Sequence, residues 1–327
     1  MPTSLLKLKS DRNTNQRVQT PLLSVILCTH NPRREVLERV LASLNVQTLP
    51  KDLWEFFVID NNSAPPLEET LASKAHPAGR VLQEKEQGLT PARLRGFLEA
   101  RADIAVLVDD DTVLDADYLE KVIEITDLHK AVAVGCGQRR AEFSEPVPKN
   151  ILPHTGILAL GEFQKSWWSN YDPSPSRLPV GAGMWVRRVI WQEYMKRLQS
   201  EPWRRTLDRS GSSLSSCGDH DIGLLAQSLG WGTGQFFELK LTHVIAPGRA
   251  TLPYLKRLRE AVSESSALLK YAYFGEIPHP TLWRRFKNSV TLFLLDRISR
   301  EMMRAHLRGL RRAEKKIRLM QKSATPS

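Results

Sequence analysis

Apolar and polar positions follow two rhythms along the first 110 residues. Leu22-Leu23-Ser24-Val25-Ile26-Leu27 is an aliphatic and β-branched run of strand length that leads into Thr29-His30-Asn31. From Arg33 to Val46 the apolar residues Val36, Leu37, Val40, Leu41 and Leu44 recur every three or four places, which predicts a helix with one buried face. A second strand, Trp54 to Ile59, ends in Asp60-Asn61-Asn62-Ser63, and a short helix is predicted over 65–73. Arg80-Val81-Leu82 predicts a third, shorter strand, Thr90 to Arg101 a helix, and Ile104 to Val108 a fourth strand that stops at Asp109-Asp110-Asp111. Strands apolar on both faces and separated by helices predict an α/β fold with a doubly wound, mostly parallel sheet. In such sheets ligands bind at the C-terminal strand ends.

The second half is less periodic. Roughly Arg139 to Pro179 is rich in proline and holds Trp167-Trp168, which predicts an excursion that covers the site. Helical pattern returns at Arg187 to Gln199, at Ile222 to Leu229 and after Thr251. The expected organisation is an N-terminal segment over 1–20, a catalytic domain over 21–250 and a helical, basic extension over 251–327. The domain divides into a nucleotide-binding half, 21–138, and an acceptor half, 139–250.

Charge changes the picture at one end only. From Thr281 to Ser327 there are 13 Lys and Arg against Asp296, Glu301 and Glu314, so this stretch carries +10 of the net +11. Phe286, Val290, Leu294, Ile298, Met302 and Ala305 form a helical stripe in it, with Trp283 near its start. The stripe is expected to pack on the body up to Met302, and the more charged stretch beyond to meet an anionic membrane surface. Nucleic acid is disfavoured, because no base-reading motif accompanies the charge. Cys28, Cys136 and Cys217 show no metal or disulfide spacing, which points to a reducing compartment. No signal-peptide pattern and no bilayer-length apolar run is present, so the expected location is cytoplasmic, with peripheral attachment at the inner face.

The aspartate triplet is the strongest chemical signal. Carboxylates this close repel one another unless a cation sits among them, and a hard divalent ion takes such ligands. The alternative is an acidic turn in which Asp111 or Thr112 caps a helix. The other strand ends suit a nucleotide: Thr29 offers a hydroxyl, His30 a ring to stack on a base, and Asp60 an acceptor for a uracil imino hydrogen or a ribose hydroxyl. Arg93, after Gly88, could reach a phosphate.

Ser24-Val25-Ile26 through Thr29-His30-Asn31, Val58 to Ser63, Gly88 with Ala92-Arg93, and Val108 to Asp111 resemble, in order and spacing, the family-2 glycosyltransferases. Gly181-Ala182-Gly183-Met184-Trp185-Val186 is similar to the family's glycine-rich segment before the acceptor region, and Gly218-Asp219-His220-Asp221-Ile222 to its acidic motif. The resemblance implies a glycosyltransferase-A fold and inverting transfer from a nucleotide-diphosphate sugar, with a UDP-sugar the first choice, to a carbohydrate or lipid-linked acceptor. It places Asp60 and Asn61 with Thr29, His30, Asn31 and Arg93 around the nucleotide, Asp109 and Asp110 at the ribose and metal region, and Asp111 with His243 on Mn²⁺ or Mg²⁺. It makes Asp219 the catalytic base and sets Gly181 to Trp185 and Asp221 around the transferred sugar and acceptor. The acid that the family usually has before the base is here Gly218, so Asp221 is a candidate to share its role. Without Gln-x-x-Arg-Trp or membrane spans, a single transfer is expected rather than processive synthesis. The alternatives are a nucleotidyltransferase, which would carry a basic glycine-rich loop after the first strand, and a scaffold that has lost activity.

Overall fold

In a computed structural model, which describes residues 20–172, 174, 177–278 and 295–324, the predicted parallel strands are all present. They are β1 (Leu23–Thr29), β2 (Trp54–Asp60), β3 (Arg80–Gln83) and β4 (Ile104–Asp109). They pair in the order β3-β2-β1-β4, all parallel. Register sets Thr29 beside Asp60 and Cys28 beside Asp109, so the polar strand ends finish at one level of the sheet. The segment predicted as a helix over 65–73 is a 3₁₀ turn at Glu69–Lys74.

Helices cover both faces. On one face, α1 (Arg34–Asn45) buries Val36, Leu37, Val40, Leu41 and Leu44, each contributing about 2 kcal/mol of burial. On the other face, α2 (Leu89–Glu99) places Phe97 flat against Trp191, with ring centroids 5.4 Å apart. The next helix, α3 (Tyr118–Leu128), joins the α1 face.

The second half completes the sheet in mixed order. The strands β5 (Thr112–Leu114), β6 (Val132–Phe143), β7 (Trp167–Ser169), β8 (Trp185–Arg187) and β9 (Gly232–Ile245) continue it as β4-β8-β6-β9-β5, with β7 on β9. β8 runs antiparallel to β4 and β6, while β6 and β9 are parallel. Thr112 on β5 lies opposite His243 on β9, which brings a residue from late in the chain beside the aspartate triplet. Thr112 therefore starts a strand and not a helix, which removes the helix-cap reading of the triplet.

Two more helices, α4 (Arg188–Ser200) and α5 (Gly218–Ser228), pack on the α2 face through Trp191, Tyr194, Ile222 and Leu225. The extension is a pair of helices, α6 (Leu252–Phe274) and α7 (Arg297–Ala324). Leu268 and Leu269 of α6 share one apolar cluster with Ala313 and Ile317 of α7 and with Leu178 and Leu224 of the body. Met302 and Ala305 are buried as predicted, but so is the inner side of the stretch beyond them. Arg308 and Arg312 pair with Glu260, and Lys316 with Glu264. Trp283, Phe286, Val290 and Leu294 lie outside the described residues. Among the described residues no helix is long and apolar enough to cross a membrane, and all three cysteines are buried and free.

Candidate active site

The loops after β1, β2 and β3 are tied to one another by their own polar side chains. His30 is exposed at the rim; its Nδ1 donates to the Asn61 carbonyl at 2.8 Å, leaving Nε2 to accept from Asn31 and Gln87. Asn31, in the left-handed region at φ 48°, accepts from Ala64 N at 2.8 Å. Asn61 accepts from Gly88 N at 2.7 Å and donates to the carbonyls of Glu84 and Glu86. Asp60 is buried, and its two oxygens accept from Ser63 N and Leu67 N at 3.0 and 2.9 Å. Asp60 and Asn61, expected to meet the nucleotide, tie these loops together through their side chains, and His30 is exposed beside them.

Each member of the aspartate triplet has a different environment. Thr29 Oγ1 donates to Asp110 Oδ2. Burial, followed by the charge of Asp111, pushes Asp110 up to about 7, and burial also raises Asp109. Burial acts to raise Asp111 as well, but His243, Arg249 and Arg209 outweigh it and hold that carboxyl down at about 2. Asp111 Oδ2 lies 3.0 Å from Arg249 Nη1 and 3.4 Å from His243 Nε2. His243 Nδ1 is buried without a hydrogen-bond partner. Among the described residues no three His, Cys, Asp or Glu side chains form a ready-made metal centre. The oxygen and imidazole donors of Asp111 and His243, with an unpartnered ring nitrogen and crowded acids around them, fit a divalent ion that takes its other ligands from a bound diphosphate.

Arg93, expected on a phosphate, is instead sealed. Its Nη1 donates to Asp208 Oδ2 at 2.9 Å, with the two side chains 5% and 4% exposed. Asp208 is a site residue that sequence reasoning missed: it is a lone acid on an irregular loop, with no motif around it. Arg209 follows it, half-buried, within the field of Asp109, Asp111 and Asp208. No ion pair ties Arg209 among the described residues, in contrast to Arg93.

Asp219 begins α5, is buried, and accepts from Gly181 N at 2.9 Å through Oδ2 and from His220 N at 2.8 Å through Oδ1. An acid in the first turn of a helix suits the positive end of its dipole. Asp221 points the other way. Arg204 Nη1 donates to its Oδ1, Tyr273 Oη on α6 donates to the same oxygen at 2.8 Å, and the carboxylate is sealed from solvent. Burial pushes it up to about 6 despite those partners. Asp221 therefore does not share the base role; it fastens α5 to the extension.

The glycine-rich segment divides as well. Gly181 lies against both Asp219 and Arg93. Gly183 turns at φ 71° and accepts from Tyr118 Oη at 2.7 Å. Ala182, Met184 and Trp185 are core residues, with Trp185 against Gly135 and Phe236, so they do not line a pocket. Trp167 and Trp168 pair with Gln235 and Gly234 near the start of β9, at the opposite end of that strand from His243, so this part of the excursion is an edge strand of the sheet.

Residues 24–177 match the family model described as Glycosyl transferase family 2. Those residues belong to glycosyltransferase family 2. The family-2 match runs from β1 through β7 and includes the aspartate triplet, whereas Asp208, Asp219, His243 and Arg249 lie beyond it. The family-2 domain is 33% identical over 116 residues to a dolichol-phosphate mannosyltransferase of Pyrococcus furiosus, covering 35% of this chain and 32% of that one. It is 28% identical over 109 residues to polypeptide N-acetylgalactosaminyltransferase 5 of Caenorhabditis elegans, covering 32% and 17%. The chain spans a third or less of the length of these curated relatives. Among solved structures, TarS 1-349 of S. aureus in complex with UDP aligns with TM-score 0.47 and 14% identity, over 91% of this chain and 92% of that one.

Proposed function

We propose that this chain transfers a sugar, with inversion, from a nucleotide-diphosphate donor to an acceptor hydroxyl, and that Asp219 is the base. The observation that carries the proposal is the meeting of two acidic groups around one buried cation. Arg93 lies in the field of Asp109 at the strand ends and of Asp219 at the start of α5. Donor and acceptor chemistry can therefore share one cleft.

Asp219 takes the proton from the acceptor hydroxyl while that oxygen attacks the anomeric carbon from the face opposite the diphosphate. The bond from the anomeric carbon to the phosphate oxygen breaks, and the diphosphate leaves with the electron pair. Arg249 and Arg209 supply positive charge beside that leaving group. A divalent cation held by Asp111 and His243 would neutralise the diphosphate further. The Gly181 amide holds one oxygen of Asp219, so the carboxylate meets the acceptor already oriented.

UDP is the nucleotide to test first. Thermal stabilisation by UDP, GDP and TDP and by their sugars is measured with Mn²⁺, with Mg²⁺ and with chelator. A metal-dependent rise with one nucleotide is expected, and no rise with any of them would remove the transfer reading.

A lipid-linked acceptor at an anionic membrane surface is the acceptor reading we favour, on two supports. One is the likeness to a dolichol-phosphate mannosyltransferase. The other is the outer side of α7, where Arg311, Lys315 and Lys322 are exposed and have no acidic partner among the described residues. Changing these three to Glu should reduce binding to phosphatidylglycerol vesicles and leave UDP binding unchanged; equal vesicle binding would count against the membrane.

A further inference from the structure

Asp208 has no part in the transfer described above, yet three observations join it to the base. Its Oδ2 accepts from Arg93 Nη1 at 2.9 Å and from Thr90 Oγ1 at 3.4 Å, and all three side chains are buried. A Cβ at Gly218 would stand 2.3 Å from that same oxygen and 2.6 Å from the Asp208 carboxyl carbon. The carboxylate of Asp208 thus fills the space beside Asp219 that a side chain at position 218 would need. A Cβ at Gly181 would stand 2.4 Å from Arg93 Nη2 and 3.7 Å from Asp219 Oδ2. Two glycines therefore let Asp208, Arg93, the Gly181 backbone and Asp219 pack in one unbroken buried row.

We infer that Asp208 is a positioning residue for Asp219, acting by pinning Arg93 and by bracing the start of α5 across Gly218. The loop leading into α5 supplies, from ten residues earlier, a carboxylate where the helix itself begins with glycine. The inference rests on the reading of Asp219 as the base.

Its physical logic concerns where Arg93 goes if released. A buried guanidinium without its partner seeks another acid, and Asp109 and Asp219 are the next acids in its field. Closing on Asp219 would draw the base off the acceptor and stabilise it as a carboxylate, weakening it as a proton acceptor. Asp208 holds Arg93 at the length of the Gly181 backbone from Asp219, so the base keeps its orientation and its basicity.

The test measures UDP released from UDP-glucose, UDP-galactose and UDP-N-acetylglucosamine, with water as acceptor, by wild type and variants. Asp208→Asn keeps the volume and removes the charge; it should lower kcat about 100-fold while KM for the donor changes by no more than a few fold. The double variant Asp208→Gly with Gly218→Asp returns a carboxylate to the same space from the other side, and should recover at least about tenfold of that loss. Melting temperature and UDP binding are followed for each variant. Wild-type kcat for Asp208→Asn overturns the inference, as does a loss confined to KM, or a folded double variant no more active than Asp208→Gly alone. Asp219→Asn separates the two levels. If it is inactive while Asp208→Asn is fully active, only the positioning role falls; if it turns over like wild type, the base assignment itself falls.

Discussion

Asp111 and Asp221 are both aspartates held by an arginine, and they differ in what else can reach them. The pair Asp111–Arg249 is partly open, with side chains 19% and 14% exposed, and has His243 beside it. The pair Asp221–Arg204 is sealed at 1% and 2%, with Tyr273 closing it. An open pair can exchange a partner for a cation or a phosphate, so its geometry is an invitation to ligand. A sealed pair cannot exchange anything, and removing its acid leaves the buried Arg204 with only Glu201 as an acidic partner. Two residues of the same type with the same partner type thus differ in access, one reachable by a ligand and the other locked into the frame.

The largest expected effect separates these parts within two residues of chain. Asp219→Asn should cost on the order of 10³ in kcat with little change in melting temperature, since the amide keeps the size of the group but cannot take a proton. Asp221→Ala should do the opposite, costing about 3–5 kcal/mol in urea unfolding. If Asp111→Ala destabilised the fold as much, the contrast would be broken. Asp111→Ala should instead abolish the Mn²⁺-dependent part of the thermal shift given by UDP. A pH titration sharpens the contrast further. Asp221 rises from 3.8 to about 6 on folding, so between those values the native state keeps a proton that the unfolded chain has lost. Its contribution to stability therefore falls as pH rises through that window, and Asp221→Asn should flatten the slope. The smallest effect belongs to Trp168→Ala: being far along β9 from His243, it should leave UDP release unchanged.

The parallel half of the sheet was legible because its strands are apolar on both faces and stop abruptly at polar residues. Asp109 to Asp111 stood out for the same reason, as acids at the abrupt end of such a strand. β6 and β9 were not legible: Gly232 to Ile245 mixes glycines, charges and aromatics, and β6 meets it through two register shifts that blur any period-two signal. Arg93 looked like a phosphate ligand because it follows Gly88 near the strand ends; the acid that binds it lies 115 residues away. Met184 and Trp185 were placed at a pocket by the resemblance of their segment, but both are fully buried, Trp185 in β8 between β4 and β6 and Met184 just before it. Local pattern reports what a residue can do, whereas pairing across the chain decides whether it is free to do it.

The Tyr273 hydroxyl on Asp221 has a consequence for how this chain can be divided. A boundary drawn at residue 250 looks natural, because the sheet is finished and the helical pair begins. Yet the helix that carries Asp219 in its first turn is anchored by a side chain from the far end of α6, and α6 is in turn held by α7. A recombinant fragment ending at 250 would retain every group assigned to donor and acceptor and should still fail to turn over, since the platform under its base would be missing. On that expectation the extension belongs with the sheet domain, and grafting the domain onto another protein should require carrying the helical pair along.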